Sequence, residues 1–531
     1  MKLLVISIEF SAATFSGNGI YCRSQVRALS QHHEVLVICG KPAGYSEPRV
    51  LEGAVDLLEV ELSSWGRLDA GCSWQQFSAG AACTSIAQRV ARFAPEAVLG
   101  VDWHSLAAFD SLAAALAALP PAAAVAGPGA ELPLATAAAA AAAPPQQPYV
   151  LAPYVFLNYR VYMRSGSGAD AALLRDLERR ALQRSVCTTV LSRSDAEFLT
   201  EAFPEATLKK PLHVLLPALR ADMAALPLPA DAKWELPMVS DRYKVYLDDP
   251  RCVSDASERT KGEPMQQGAA VSSNGALIGH QRESQQQQQQ QQREQERQRQ
   301  QQGNQAQLQG KRSLASTALP ATLQGILDPG RGRYLLTCAV RISPEKEPGR
   351  FVDLAVQLAR RGALERCGAV PLMFGAGWGS EYGQALKKKV EEELPQCIIL
   401  ESFLGPAELA AIYSLTLLNI HPCLYDAYGM TIVEAASQGS PSLVNHGGHV
   451  GATDLLDRSA SEVICMDLSL PATQLAAQVE PWLEKGTSLR YVGDVAARKA
   501  RSWTEEANAD CLVRLVKEAL QEHAAGKENT A

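Results

Sequence analysis

Residues 417–446, LLNIHPCLYDAYGMTIVEAASQGSPSLVNH, contain a strand pattern, a helix pattern and a second strand pattern in succession. The short apolar runs LLNI and SLV are typical of buried strands, while MTIVEAASQ has the length and composition of a helix. Buried strands that alternate with helices predict a mostly parallel sheet with helices on both faces. The stretch therefore indicates an α/β fold.

The same alternation occurs on both sides of a long interruption. Between residues 1 and 226 the buried-strand patterns are LLVISI, EVLVIC, EAVLGV, YVFLNY, CTTVLS and HVLLPA. From about residue 326 the alternation restarts with RYLLTCAV, VPLMFGAG, CIILES, LLNIHP and PSLVNH. We therefore expect two doubly wound, Rossmann-like domains, an N-terminal one at 1–226 and a C-terminal one at 326–525.

Two segments of biased composition interrupt this pattern. Residues 227–325 include eight consecutive glutamines, Gln285 to Gln292, and few large apolar residues. Burial there cannot offset the entropy of ordering, so we expect a disordered Gln-rich insertion, with a protein-interaction segment as the alternative. A second patch, at about 111–147, is rich in alanine and proline. Its prolines exclude one long helix and predict a loop insertion that holds at most a short helix.

The composition narrows the classes of partner. The chain has 531 residues, a net charge of −7 and 47% hydrophobic residues. This charge balance gives no reason to bind nucleic acid or an anionic membrane, and it favours a small polar ligand or a protein. The twelve cysteines lie mostly singly, without C-x-x-C, which predicts buried thiols in a reducing compartment. Because MKLLVISIEF is too short for a signal peptide or a membrane span, we expect a cytoplasmic protein without an integral membrane segment.

The first candidate site is a loop with two cations. In open parallel sheets, ligands bind outside the carboxyl ends of the strands. The loop after YLLTC contains Arg341 and Lys346. An arginine that binds two oxygens and a lysine that acts as a point charge suit a diphosphate. The alternative is a solvated charged loop.

The second candidate site surrounds the helix of the opening stretch. Gly429 stands at the start of this helix, with Asp426 before it and Glu434 one turn in. Backbone amides at such a start, here near Met430, attract anions. Glu434 is placed to accept hydrogen bonds from two adjacent ribose hydroxyls, and Asp426 to reach a second sugar. Alternatively, Glu434 lies on a solvent-facing side of the helix.

Glycines follow two further strands. Gly447 and Gly448 come after PSLV and permit close approach of a ligand to backbone amides. Gly17 and Gly19 join the first strand region to a helix, where the loop can approach a phosphate or a reacting sugar. Ordinary turns would use the same glycines.

Asp102 and His104 follow the buried strand EAVLGV. Their spacing of two predicts that both side chains lie on one face of an extended strand, with Trp103 on the other. A histidine at the carboxyl end of a strand is a candidate for a binding cleft. The alternative is a histidine satisfied within the core.

In this order the motifs resemble those of the retaining family-4 glycosyltransferases, which have the GT-B architecture of two facing doubly wound domains. The resemblance covers both domains and rests on a glycine-rich loop, DWH, HVLLPALRADM, R-x4-K, two acids with seven residues between them, a glycine pair, and SW before the last helix. It implies a hexosyltransferase-type enzyme that binds its acceptor on the N-terminal domain and a nucleotide-sugar donor on the C-terminal domain.

The resemblance also implies roles for the candidate residues. Arg341 and Lys346 would bind the donor diphosphate, and Glu434 the nucleotide ribose. Asp426 and the amides near Gly429 and Met430 would contact the transferred sugar.

By the same resemblance, His104 would lie beside the reacting centre. Gly447 and Gly448 would contact the donor, and Gly17 and Gly19 would contact the acceptor or a phosphate. Transfer would retain the anomeric configuration. Because the chain has no D-x-D, we expect no metal and no cofactor beyond the nucleotide-sugar co-substrate.

Three features depart from the family pattern. Asp426 stands where the family usually has glutamate, and Asn18 separates Gly17 from Gly19 where two glycines are usually adjacent. After Gly448 the usual proline and glutamate are absent. Two alternatives stay open: a sugar-nucleotide epimerase of the same fold, and a non-catalytic scaffold that acts through its Gln-rich segment.

Overall fold

The structure is a computed structural model, and the residues it describes are 1–10, 16–45, 55–66, 71–119, 149–165, 169–208, 210–226, 320, 323, 334–484 and 486–528. The Gln-rich segment lies outside these residues except at 320 and 323, and so does the Ala/Pro-rich patch beyond residue 119. The disorder and the loop insertion predicted there therefore stay predictions.

The N-terminal half contains a seven-stranded parallel sheet of order β3-β2-β1-β4-β5-β6-β7. The six strands predicted for this half are all present, and β3 is an additional strand at the sheet edge. The strands are β1 Lys2–Ser7, β2 Glu34–Pro42, β3 Val55–Leu62, β4 Ala97–Val101, β5 Tyr154–Asn158, β6 Cys187–Val190 and β7 Leu212–Val214.

Helices pack on both faces of this sheet. They are Gly17–Leu29, Trp74–Ala81, Thr84–Phe93, His104–Ala117, Tyr162–Ser165, Ala169–Arg184, Arg193–Ala202, Pro204–Thr207 and Ala221–Ala224. The helix that begins at His104 continues to Ala117, so the first residues of the predicted loop insertion at about 111–147 are helical instead. Alanine and leucine have high helix propensity, and the first proline of the patch comes only after this helix.

The C-terminal half contains a six-stranded parallel sheet of order β10-β9-β8-β11-β12-β13. Five of these strands were predicted, and β13 is an additional edge strand. The strands are β8 Tyr334–Ala339, β9 Ala369–Phe374, β10 Ile398–Leu400, β11 Thr416–Ile420, β12 Ser442–Asn445 and β13 Ile464–Met466.

The helices of this half also cover both faces of the sheet. The α-helices are Pro348–Arg360, Ala363–Arg366, Glu381–Glu393, Pro406–Ser414, Met430–Ser437, Ala472–Glu484, Gly486–Ser502 and Glu505–Glu528, and the 3-10 helices are Pro344–Lys346 and Gly451–Asp454.

The central strand β1 shows how the sequence produces two apolar layers. Leu3 and Val5 pack into one core cluster, while Leu4 and Ile6 pack into another, because alternate side chains leave opposite faces of a strand. All four are at most 2% exposed. Each such buried side chain contributes about 1.5–3 kcal/mol relative to exposure. Two covered faces explain why the strand is a continuous apolar run rather than an alternating one.

The last helix, Glu505–Glu528, packs on the N-terminal half although its sequence lies in the range predicted for the C-terminal domain. Its Asn508 Nδ2 donates to Tyr21 Oη at 3.0 Å, and its Glu505 carboxylate accepts from Arg27 Nη2 at 2.7 Å. Just before it, Trp503 Nε1 donates to the Leu216 carbonyl at 2.8 Å. The end of the chain therefore joins the two halves, whose exact boundaries at 226 and 326 stay predictions.

Two further sequence predictions concern the chain as a whole. Within the described ranges, no helix combines the length and the apolar character needed to cross a membrane. The cysteines of the described ranges form no disulfide bonds, and most of them are buried.

Candidate active site between the two halves

The cationic loop after β8 contacts the acidic loop after β11. Lys346, at the end of a 3-10 turn, places its Nζ 2.7 Å from Asp426 Oδ2. Arg341, on the same loop, pairs with Glu345. β8 and β11 are neighbours at the point where the strand order of the second sheet reverses. The structure therefore brings Lys346 and Asp426 together at the switch point, where open parallel sheets bind ligands.

Asp426 is buried between two cationic partners. Besides Lys346, His421 Nε2 lies 3.0 Å from Asp426 Oδ2. Burial alone would raise the pKa of Asp426, but Lys346 and His421 hold it well below its usual range. Burial lowers the pKa of His421, whereas Cys423 and Asp426 raise it to about 9. At neutral pH this carboxylate is therefore ionised, and both of its partners are positively charged.

Gly429 determines where the following helix begins. Its φ of +91° is in the left-handed region, and a Cβ at this position would lie 2.7 Å from Ile432 Cδ1. Any other residue would be strained there. Met430 then starts an eight-residue helix whose first backbone amides point back toward the Asp426 loop. The sharp turn thus places a helix N-terminus beside Lys346 and Asp426.

Glu434 is buried, so the alternative of a solvent-facing helix side is wrong. It is 5% exposed, and its helix neighbour Gln438 is 3% exposed. Arg220 from the connection after β7 places its Nη1 3.4 Å from Glu434 Oε1 and binds Asp222 at 2.5 Å. Burial raises the pKa of Glu434, and Arg220 opposes that rise. Glu434 is therefore an interior carboxylate with an arginine partner rather than a surface group.

The glycine pair after β12 faces the N-terminal half. Gly447 and Gly448 are exposed and have φ values of +88° and +74°. The next residue, His449, places its Nδ1 3.2 Å from Ser194 Oγ. Its carbonyl accepts from the Asp426 backbone amide at 3.0 Å. The glycine loop therefore lies next to Asp426 and against the other half.

Gly17 and Gly19 start the first helix of the N-terminal half. A Cβ on Gly19 would lie 2.5 Å from the Glu9 side chain, so this close approach requires glycine. Ser16 caps the helix, and its Oγ accepts from the Asn18 backbone amide at 3.1 Å. The Asn18 side chain donates to Asp102 Oδ2 at 2.8 Å. The residue that separates the two glycines thus binds a buried carboxylate behind the loop.

The predicted placement of Asp102 and His104 on one face of a strand is wrong. β4 ends at Val101, Asp102 has a φ of +56°, and His104 begins a helix. The left-handed residue reverses the chain before an alternating strand can continue. Burial raises the pKa of Asp102 to about 7, although the hydrogen bonds from Asn18 and Tyr159 act to lower this pKa.

His104 is buried against β1. Its Nε2 lies 3.3 Å from the Ile8 backbone amide, which makes Nε2 the acceptor and places the proton on Nδ1. Burial lowers the pKa of His104 to about 3, so the ring is neutral. No hydrogen bond in the described part of the chain joins His104 to Asp426, Arg341 or Lys346.

Sequence reasoning missed several residues that meet in the cleft. Arg160 from the loop after β5 pairs with Glu345 at 2.6 Å. Tyr425 donates to Asp195 at 2.9 Å, and Arg164 lies over the Tyr425 ring at 4.1 Å. The signal for Arg160 was available, because it directly follows the carboxyl end of the predicted strand YVFLNY. The contact between the halves was not available from local patterns.

Three side chains of the site could also offer metal ligands. One ligand atom each from His421, Cys423 and Asp426 lie within 4.8 Å of one another. The Lys346 ammonium is bound to the same carboxylate, and it would repel a divalent cation placed there. The donor set therefore fits an ion pair better than a metal ion.

Comparisons with known proteins bear on the fold. No family model and no curated protein sequence matches the chain. Solved structures do match it over nearly the full length of both chains. Sucrose-phosphate synthase from Thermosynechococcus elongatus has a TM-score of 0.59 at 12% identity and covers 99% of each chain. Anabaena HepE, in complex with UDP and glucose, has a TM-score of 0.56 at 11% identity and covers 98% of this chain and 100% of its own.

A third match is the catalytic domain of starch synthase IV from Arabidopsis thaliana, bound to ADP and acarbose. It has a TM-score of 0.56 at 13% identity and covers 98% of this chain and 99% of its own. At such low identity the matches establish the fold. The chain has the GT-B architecture predicted from its motifs, with two doubly wound domains facing across a cleft.

Proposed function

We propose that the protein is a glycosyltransferase that moves a sugar from a nucleoside-diphosphate sugar to an acceptor. The observation that carries the proposal is the 2.7 Å ion pair between Lys346 and Asp426. Residues 80 positions apart meet there, at the switch point of the second sheet and beside a helix N-terminus. Two cations, a carboxylate and the backbone amides of a helix N-terminus suit a ligand that carries both a diphosphate and a sugar.

The ligands of the structural neighbours support this choice. HepE was solved with UDP and glucose, and starch synthase IV with ADP and acarbose. A nucleoside diphosphate together with a sugar matches the two kinds of group for which the cleft has partners. We therefore propose a nucleoside-diphosphate sugar as the donor of this protein, without assigning its base or the acceptor.

In the proposed reaction, the bond between the anomeric carbon and the diphosphate breaks, and a bond to the acceptor oxygen forms. The acceptor proton leaves with the diphosphate or passes to water. Arg341 and Lys346 stabilise the charge that builds on the leaving diphosphate, together with the amides near Gly429 and Met430. One preorganised donor of this kind lowers the barrier by about 2.7–4 kcal/mol.

The two carboxylates, Asp426 and Glu434, bind the transferred sugar and the ribose of the donor, respectively. Asp426 Oδ2 binds Lys346 and His421, and Oδ1 accepts a long hydrogen bond of 3.4 Å from the Tyr428 backbone amide. Because a carboxylate oxygen has two lone pairs, Oδ1 can also accept from a hydroxyl of the transferred sugar. Glu434 accepts from the ribose hydroxyls. Because Arg220 already binds Glu434, the ribose shares or displaces that contact.

The remaining candidates surround the transferred group. Gly447 and Gly448 approach the donor from the loop after β12, and Gly17 and Gly19 approach the acceptor or a phosphate. The Nδ1–H of His104, which has no hydrogen-bond partner among the described residues, is available to a sugar hydroxyl beside the reacting centre.

We also propose that transfer needs no metal and retains the anomeric configuration, as for a hexosyltransferase of the resembling family. Metal independence is supported by Lys346, whose ammonium lies where a cation would meet Asp426. Retention rests on the resemblance. The cysteines of the described residues form no disulfide bonds, which supports a reducing compartment such as the cytoplasm.

A thermal-shift screen followed by product analysis tests the proposal. Melting temperature is measured with UDP, ADP and GDP and with their hexose derivatives, because a ligand that binds only the native state raises stability. Donors that stabilise the protein are then incubated with sugars and sugar phosphates. Stabilisation by at least one diphosphate and a new glycosidic linkage are expected. If no nucleoside diphosphate stabilises the protein, the proposed function is wrong.

A further inference from the structure

One carboxylate in the cleft is shared by two arginines from opposite halves. Glu345 Oε2 lies 2.6 Å from Arg160 Nη2, and Glu345 Oε1 lies 3.4 Å from Arg160 Nη1. Arg341 binds the same Oε1. Because one carboxylate holds both guanidinium groups, they lie within a few ångströms of each other. Arg160 therefore reaches the cationic loop of the C-terminal half.

The position of Arg160 is fixed within its own half. Its backbone amide donates to Asn158 Oδ1 at 3.2 Å, directly at the end of β5. Its guanidinium lies 5.1 Å from the centre of the Tyr162 ring. The Tyr162 hydroxyl donates to Asp102 at 3.3 Å, and Asn18 donates to the same oxygen. A continuous set of contacts thus joins the glycine loop of the N-terminal half to Arg160.

Four cationic side chains of the described residues share two carboxylates in this part of the cleft. Arg160 and Arg341 share Glu345, and Lys346 and the protonated His421 share Asp426. Counted by themselves, these four cations and two carboxylates carry two more positive than negative charges. Such an excess in a partly buried cleft favours the binding of an anion with about two charges.

Three other ion pairs, one between the halves and one within each half, lack this excess. Arg193 of the N-terminal half lies 3.8 Å from Asp454 of the C-terminal half. Arg164 lies 3.0 Å from Asp195 within the N-terminal half, so each of these arginines has a carboxylate partner. Glu347, next to the cationic loop, likewise has its own partner in Arg350 at 2.8 Å. The surplus is therefore a feature of the cluster of Arg160 and its neighbours that these three pairs do not share.

We propose that Arg160 binds the donor diphosphate together with Arg341 and Lys346, so that the diphosphate site is complete only when the two halves meet. This inference rests on the proposed function, since it assigns a further residue to the same ligand. The diphosphate replaces the Glu345 carboxylate between the two guanidinium groups. Arginine suits this position because its planar group binds two phosphate oxygens at once.

The test compares the binding of nucleoside diphosphates with that of nucleosides. UDP and ADP are titrated by calorimetry, and uridine and adenosine by NMR, into the wild-type chain, Arg160→Met and Arg160→Lys. Arg193→Met is the matched control, since it removes a cross-half ion pair outside the cluster. Circular dichroism checks that each variant is folded.

Arg160→Met is expected to weaken the binding of the preferred diphosphate by about tenfold or more, as for the loss of one charge-assisted contact. Nucleoside binding is expected to stay the same, and Arg160→Lys to have an intermediate affinity for the diphosphate. Arg193→Met is expected to bind both as the wild type does. If Arg160→Met does not fold, Arg160→Lys is compared with the wild type instead. Weaker binding of the diphosphate with unchanged binding of the nucleoside is again the expected result.

Three outcomes would contradict the inference. If the wild type binds no diphosphate, the proposed function itself fails. If the wild type binds UDP or ADP and Arg160→Met binds it equally well, only the role of Arg160 is wrong. If Arg160→Met weakens the binding of nucleosides as much as the binding of diphosphates, Arg160 stabilises the fold of the cleft and does not bind the phosphates.

Discussion

Arg220 Nη1 lies 3.4 Å from Glu434 Oε1, so an arginine that follows the N-terminal sheet binds a buried carboxylate of the C-terminal half. The Glu434 side chain is 7% exposed and that of Arg220 is 14% exposed. Removing one partner of such a pair leaves a charge in a site that water barely reaches. The carboxylate proposed for the ribose thus also connects the two halves.

Replacement of Arg220 by methionine is expected to lower the free energy of unfolding by roughly 1–3 kcal/mol, because Glu434 loses its partner. Glu434→Gln in the same chain should restore part of this loss, since it removes the unpaired charge. Urea denaturation measures both effects. The control is Arg366→Met, which breaks solvent-exposed ion pairs with Glu480 and Glu484 and should have a clearly smaller effect on the free energy of unfolding. If Arg220→Met and Arg366→Met lower the free energy of unfolding equally, the buried pair is no stronger than a surface pair.

Arg341→Ala and Lys346→Ala are each expected to reduce turnover about a hundredfold or more, because each removes a positive side chain that stabilises the negative charge of the leaving diphosphate. Steady-state kinetics with the donor found by the stability screen measures the effect. Lys387→Ala, which breaks an exposed ion pair with Glu401 in the same half, serves as a control with normal turnover. Near-normal activity of both Arg341→Ala and Lys346→Ala would remove the diphosphate assignment.

The pKa of His421 predicts a loss of stability in the alkaline range. Burial lowers this pKa, but Cys423 and Asp426 raise it to about 9, above the unfolded value of about 6.5. The folded state therefore binds more protons between these values. The contribution of His421 is fully present below pH 6.5 and is lost as the pH rises through about 9.

Unfolding free energies measured in urea between pH 6 and pH 10 test this sign. The wild type should lose stability over that range, and His421→Gln should lose less of it. His32→Gln, at an exposed position, should follow the wild type. A wild-type curve parallel to that of His421→Gln would mean that His421 is neutral beside Asp426.

Much of the fold followed from local patterns, and the missed strands show where such patterns fail. The predicted strands are apolar runs because helices cover both faces of the sheets. β3, with the sequence VDLLEVEL, is an edge strand with two exposed and two buried residues, and β13 is an edge strand of three residues. Neither forms a long buried run. The other two edge strands, β7 and β10, were predicted because they lie in the apolar runs HVLLPA and CIILES.

Part of the candidate site was also predictable from local patterns. Lys346 and Asp426 follow strands that are neighbours in the sheet, and the rule for strand ends placed both at one edge. The burial of Glu434 and the contact of Arg160 with Glu345 depend on how the two halves meet. No local pattern encodes that arrangement. The left-handed conformation of Asp102 was missed because a non-glycine residue seldom adopts it.

Deletion of residues 285–302 is expected to leave the melting temperature and the turnover almost unchanged. The glutamine-rich composition of this segment, which lies outside the described residues, supplies too little apolar surface to form part of a core. Differential scanning calorimetry and steady-state kinetics measure the two quantities. A large loss of either would mean that the segment packs on a domain or completes the cleft.

Sugar transfer is expected to persist in EDTA and to yield a product with the anomeric configuration of the donor. Enzymes that hold a diphosphate through Mg²⁺ or Mn²⁺ use oxygen ligands for the ion. Here the Asp426 carboxylate is bound by the Lys346 ammonium at 2.7 Å and by His421 at 3.0 Å, so positive charge already occupies the position of a cation. Turnover with the identified donor is measured in EDTA and after addition of Mg²⁺ or Mn²⁺, and NMR of the new linkage gives its configuration. Loss of activity in EDTA that either metal restores would contradict metal independence, whereas an inverted product would separately contradict the resemblance to a retaining family.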